Sequence, residues 1–242
     1  MSDLRPWDAA MTGTGGPFAG GPDVRVAALS TDGAQPYRFH RVDEATLELH
    51  AGADVQGRGL GISCGAALFN VRLAIRMTGH EPRVVPFPDP AERPGLVATV
   101  EATPGLPPGP QERLLHHMIP PRRRLPVHGP LPADVLADLV AAADEEGATF
   151  VPVTERMACR VPALAVLDLP AENDGEGSHL AALFTRGDGP RDWLLAGQAL
   201  QRVLLTATAH GLAAAPFRCA DLRLGREGPF GHVQTLLSLG GP

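Results

Sequence analysis

The sequence predicts an α+β protein in which short strands and longer helices are mixed along the chain. Three observations carry this. Runs of alternating character, YRFHRV at 37–42 and TLELHA at 46–51, read as strands. Two longer apolar segments, one from about Gly65 to Met77 and one from about Pro190 to His210, read as helices closed by Gly79 and Gly211. Strands and helices do not alternate strictly, so a parallel βαβ architecture is disfavoured. At 242 residues, with 44% hydrophobic and 20% charged, the chain can form one large domain or two packed halves. Its 28 glycines and 25 prolines imply many turns and few long elements.

In chain order, residues 1–27 read as a flexible N-terminal arm, rich in Gly, Pro, Ser and Thr up to residue 24. Asp43-Glu44-Ala45 reads as the turn of a hairpin between the first two strands. The Gly-rich stretch 57–61 leads to Ser63, a candidate N-cap for the helix beginning near Gly65. Residues 83–87 and 96–101 read as strands, and ATPGLPPGP at 102–110 as the most linker-like segment. Pro132 opens a helix with Leu136, Leu139, Val140 and Ala143 on one face and Gly147 beyond its end. Strands are expected at 149–154 and 163–169, a surface loop at 171–178, and a last strand at 233–239.

The two long helices resemble each other. A shift of 132 residues pairs Gly65 with Gly197, Ala67 with Ala199, Leu68 with Leu200, Val71 with Val203, Leu73 with Leu205 and Gly79 with Gly211. The pattern suggests an internal repeat, although any apolar helix ended by glycine shares part of it.

Composition narrows the chemistry. All 21 basic side chains are arginine, so Schiff-base, pyridoxal-phosphate and ordinary P-loop chemistries, each of which needs a lysine, are excluded. A net charge of −6 argues against non-specific binding to nucleic acid or anionic lipid. No signal peptide and no apolar run of about 18 residues is apparent, so no membrane span is expected. Cys64, Cys159 and Cys219 are odd in number and lack C-x-x-C spacing, which fits reduced thiols in the cytoplasm.

Several constellations could carry chemistry. Gly61-Ile62-Ser63-Cys64-Gly65 matches the nucleophile elbow of serine hydrolases, but no buried strand precedes it, so a helix cap is the favoured reading. Cys64 could be activated by a helix start or be a packed, inert thiol. The adjacent pair His116-His117 is poorly suited to one metal, and no metal site is expected. Arg122, Arg123 and Arg124, after two prolines, form either a solvated loop or an anion clamp. Gln35 precedes a proline, which holds its backbone extended and its amide aimed, as a flavin's alternating donors and acceptors would require. A plain turn into a strand is the alternative.

Taken in order, these pieces resemble the nitroreductase superfamily, and within it the internally duplicated Acg-type FMN-binding proteins, in shortened form. LSTDGAQPYRF (29–39) is similar to that branch's A-P-S-x-x-N-x-Q-P-W-R-F, and ISCGAALFNVRLAIRMTG (62–79) to its I-S-C-G-A-A-L-x-N-L-R-L-A helix. PRRRLPV (121–127) resembles its arginine-rich turn, AGQALQRVLLTATAHGL (196–212) its second-half helix, and GHVQTLLSLG (231–240) its closing strand. The chain departs from the branch at Gly33, where asparagine is usual, at Leu29 and Tyr37 for proline and tryptophan, at Arg122 for a hydroxyl residue, and at Ser238 for arginine. Fewer residues separate Thr154 from Ala163 than in the branch.

The resemblance implies a nitroreductase-like α+β fold, a central antiparallel sheet flanked by helices, with two related halves in one chain at 28–118 and 119–242. It implies FMN, with Ser30, Gln35 and Arg38 facing the ring or ribityl chain and Arg122, Arg123 and Arg124 holding the phosphate. NAD(P)H is the expected donor, a small electron-poor aromatic or quinone-like molecule the expected substrate, and a cytoplasmic homodimer the expected state. The departures open an alternative, a relative that binds or stores flavin or another small molecule, or serves as a partner subunit. A serine hydrolase using Ser63 is the third reading.

Overall fold

Alternation decides the first hairpin. In the computed structural model, β1 (Tyr37–Arg41) pairs antiparallel with β2 (Thr46–Ala51), Phe39 facing Leu49 and His40 facing Glu48. Residues 37–52, 57–119, 131–153, 179–216 and 227–240 are described. The expected N-terminal arm, the strand at 163–169 and the loop at 171–178 lie outside them. By contact the chain divides into two units, Met1–His117 and Met118–Pro242.

In the first unit, β1 and β2 are followed by α1 (Arg58–Met77), β3 (His80–Pro86) and β4 (Leu96–Pro104), and the sheet order is β1-β2-β4-β3, antiparallel throughout. Leu47 and Leu49 face the core with Leu68, Phe69 and Ile75 of α1 and Val100 of β4, all fully buried. Each such large side chain contributes about 2 kcal/mol of transfer free energy. α1 is long and apolar enough to cross a bilayer by length and composition, and most of it is buried. Pro82 and Pro86 sit in β3, an edge strand, where a missing N–H costs little.

Two sequence expectations are corrected in this unit. α1 begins at Arg58 after Gly57, so Ser63 is not an N-cap; it lies inside the helix and its hydroxyl donates to the Gly59 carbonyl at 2.9 Å. Residues 102–110 are no linker. Ala102–Pro104 continue β4 against His80–Pro82, and Pro110 opens α2 (Pro110–His117), where Glu112 accepts from the Gly109 N–H at 2.6 Å. Arg76 ties α2 down, donating to Glu112 at 2.6 Å, to Glu81 at 2.8 Å and to the Leu106 carbonyl at 3.1 Å.

The second unit contains α3 (Ala133–Asp144), β5 (Thr149–Pro152), β6 (His179–Thr185), α4 (Pro190–Ala209), β7 (Ala214–Pro216), the two-residue β8 (Glu227–Gly228) and β9 (Gly231–Leu239). Its antiparallel sheet runs β5-β6-β9-β7, with β8 paired to β9. β6 was not expected from its sequence, because HLAALFT lacks both alternation and β-branched residues until its end. α3 packs on α4, and Arg202 of α4 binds Glu146 at 3.1 Å and also Glu145.

With α2, α3 and the two-residue β8 set aside, both units run strand, strand, helix, strand, strand, and these four strands lie in the spatial order first, second, fourth, third. α1 and α4 are 20 residues each and are offset by 132 at both ends, 190 against 58 and 209 against 77. Gly79 and Gly211 close them at φ 78° and 74°, in the left-handed region that glycine enters at no steric cost. The fold is α+β and nitroreductase-like, with one antiparallel sheet in each duplicated half.

Candidate functional site

The hairpin's alternation that buries Tyr37, Leu47 and Leu49, with Phe39 half-buried beside them, turns Arg38, His40, Glu48 and His50 to the other face. Arg38 stands opposite His50 and His40 opposite Glu48, so four polar side chains share two neighbouring rungs. Arg93, from the loop between β3 and β4, completes the group. Its guanidinium forks onto Glu48 at 2.7 and 2.6 Å. His50 Nε2 lies 2.9 Å from Glu48 Oε2, and His40 Nδ1 lies 3.9 Å from the same oxygen. The two imidazoles meet edge-on with centroids 6.4 Å apart.

Glu48 is the electrostatic centre of this face. The Arg93 hydrogen bonds hold its carboxyl at about 2, against burial, which pushes it up; His50 adds a smaller lowering. Arg93 is correspondingly raised by its hydrogen bonds to Glu48. With both carboxylate oxygens committed, Glu48 is a fixed anion that orients His50 rather than a proton carrier. Arg38 is exposed, and no carboxylate lies within ion-pair distance of it among the described residues. This face can hold an anionic or carbonyl-bearing group.

Of the residues expected to bind a cofactor, Arg38 alone is described. Ser30, Gln35, Arg122, Arg123 and Arg124 lie outside the described residues, as does Gly33. Ser238 lies in β9 opposite Leu180 and Ala215. His40, Glu48, His50 and Arg93 were not anticipated. The period-two pattern of YRFHR and TLELHA places the first three on one face, but Arg93 arrives from a loop 45 residues from Glu48, which local pattern does not reveal.

The hydrolase reading is overturned. Ser63 is 1% exposed inside α1, in its second turn, not at a strand-to-helix turn. Beside it, burial pushes the Cys64 thiol up to about 12, so it is the packed, inert thiol of the two alternatives. His116 and His117 end α2; burial lowers His116 below the ordinary histidine value, and the His117 charge adds to this. Among the described residues no group of three His, Cys, Asp or Glu could hold a metal ion.

Comparison with known proteins places the chain. No family model matches it. Two proteins of Mycobacterium tuberculosis, from strains CDC 1551 / Oshkosh and ATCC 25618 / H37Rv, are each 31% identical over an alignment of 256 residues, covering 80% of this chain and 73% of theirs. Both are assigned by inference as NAD(P)H nitroreductases. A crystal structure from Anabaena variabilis, similarly assigned as a nitroreductase, superposes with a TM-score of 0.54 at 12% identity, over 81% of this chain and 69% of that one. The fold agrees with that structure, and on its identity to the mycobacterial relatives over most of both lengths the chain belongs to the nitroreductase family.

Proposed function

We propose that the protein is an FMN-binding oxidoreductase of nitroreductase type, taking electrons from NAD(P)H and reducing a small electron-poor aromatic or quinone-like substrate. The observation that carries this reading is the 31% identity to the mycobacterial proteins across 80% of the chain. The described part of the site fits the cofactor's chemistry, because Arg38 offers an exposed guanidinium with no carboxylate in ion-pair distance among the described residues. Ser30, Gln35 and Arg38 would face the ring or ribityl chain, and Arg122, Arg123 and Arg124 would hold the phosphate. FMN, when bound, supplies the two-electron chemistry. The same reading takes the protein as an Acg-type family member and a cytoplasmic homodimer, with halves at 28–118 and 119–242.

Gly33 and Ser238, which replace asparagine and arginine of the branch, favour a second reading. In it the chain keeps the fold and binds or stores flavin or another small molecule, or serves as the partner subunit of a related enzyme. The deciding experiment is the visible spectrum of the purified protein, alone and with FMN, followed by NAD(P)H oxidation with a quinone acceptor. Flavin absorption with turnover supports the enzyme. Flavin absorption without turnover supports the second reading, and a colourless protein that takes up no FMN refutes flavin binding altogether.

A further inference from the structure

We propose that the Arg38–His50 rung, with His40 beside it, is a seat for a phosphate-type oxyanion on the outer face of the first sheet. The arrangement of charge carries this. Five groups meet there: Arg38 and His40 from β1, Glu48 and His50 from β2, and Arg93 from the β3–β4 loop, with Asp89 of that loop acting on Arg93. Glu48 is the one carboxylate on the two rungs, and the Arg93 fork occupies both of its oxygens. Among the described residues, this leaves the guanidinium of Arg38 with no carboxylate in ion-pair distance. Glu101, the next acid on this face, is 4.0 Å from Arg83 and is matched by it.

The geometry also gives Glu48 a positioning role. Its Oε2 binds His50 Nε2 at 2.9 Å, which fixes the ring and leaves Nδ1 with no partner among the described residues. In its protonated form a ring so held donates one N–H to Glu48 and can donate the other to an oxyanion. Arg38, directly across the rung, has its Cβ about 5 Å from that of His50 and adds a two-pronged donor. His40 stands edge-on to His50 at 6.4 Å and is 67% exposed, close enough to supply a third donor. Three donors around one committed carboxylate suit a tetrahedral oxyanion, whether it belongs to another phosphate-bearing ligand or is the flavin's own phosphate, in which case Arg38 takes the role that the proposed function gives to Arg122, Arg123 and Arg124.

The test titrates the full chain with inorganic phosphate and follows the histidine side-chain NMR signals. Saturable shifts at His50 and His40 are expected, and the dissociation constant should rise by about tenfold or more in Arg38→Gln and in His50→Gln. Arg83→Gln, which alters an exposed arginine of the same sheet face, should leave it unchanged. Parallel titrations with FMN and with riboflavin, which lacks the phosphate, separate the sources. If the FMN advantage over riboflavin shrinks in Arg38→Gln, the seat takes the flavin phosphate; if it persists while inorganic phosphate binding is lost, the seat takes another ligand. Equal phosphate affinity in wild type, Arg38→Gln and His50→Gln, or an equal loss in Arg83→Gln, overturns the proposal. A chain that binds phosphate this way but no flavin would sink the proposed function and leave the seat standing.

Discussion

Glu48 offers a direct test of the electrostatics on the first sheet. Its carboxyl is brought from the ordinary glutamate value of 4.5 to about 2, chiefly by the Arg93 hydrogen bonds. Linkage sets a ceiling of about 3 kcal/mol of folding stability on such a displacement. Arg93 is 47% exposed, so solvent screens the pair and about 1–2 kcal/mol is the realistic share. The sign follows from the lowered value. The contribution is fully present above pH 4.5 and is lost as pH falls from 4.5 towards 2. Urea unfolding of wild type and Glu48→Gln at pH 7 and pH 3 isolates it, because all other acids are common to both proteins. Wild type should lose about 1 kcal/mol more than Glu48→Gln between the two pH values, and the difference should shrink in high salt. Identical losses in the two proteins would refute the account of Glu48 as a buried, arginine-held anion.

Three further outcomes are expected. Asp192 accepts from the backbone N–H groups of Gly187 at 3.1 Å and Gly189 at 3.0 Å, so Asp192→Ala should cost about 1–2 kcal/mol by thermal or urea unfolding; an unchanged midpoint would show the cap to be dispensable. Cys64, buried with its thiol near 12, should stay unreactive to a disulfide reagent until the protein unfolds. Wild type and Cys64→Ala must then show the same number of fast-reacting native thiols, and one fewer in the variant would contradict its burial. Gly231 has φ +105°, and a Cβ there would sit 2.2 Å from the Thr185 carbonyl oxygen, so Gly231→Ala should destabilise by roughly 2–4 kcal/mol. A variant as stable as wild type would mean that β9 does not run this close to β6.

Much of the fold was legible because it depends on local periodicity. Alternation in 37–41 and 46–51 located a real hairpin, and the apolar stretches ended by Gly79 and Gly211 located α1 and α4. The boundaries that failed depend on tertiary partners. Gly59 and Gly61 are poor helix formers, so the sequence argued for a start near Gly65, whereas the helix begins at Arg58. The prolines of 102–110 suggested a linker, but Pro82 and Pro104 tolerate ladder positions at or near a sheet edge, and Glu112 is anchored by Arg76 from another helix. At the candidate site the same division holds. The shared face of Arg38, His40, Glu48 and His50 follows from a period of two, while the fork of Arg93 onto Glu48 follows from loop closure.

By itself, the sequence determined the α+β class and an arginine-only cation chemistry and suggested a repeat at a spacing of 132, because these are written in periodicity, composition and self-similarity; the matching ends of α1 and α4 made the repeat firm. Tertiary structure alone decided that the four main strands of each half, β8 set aside, lie in the order first, second, fourth, third. It also decided that Ser63 lies inside a helix with its hydroxyl spent on Gly59, and that a distant arginine holds Glu48 ionised. Those outcomes depend on which groups the folded chain brings within hydrogen-bond distance, and no local pattern contains that distance.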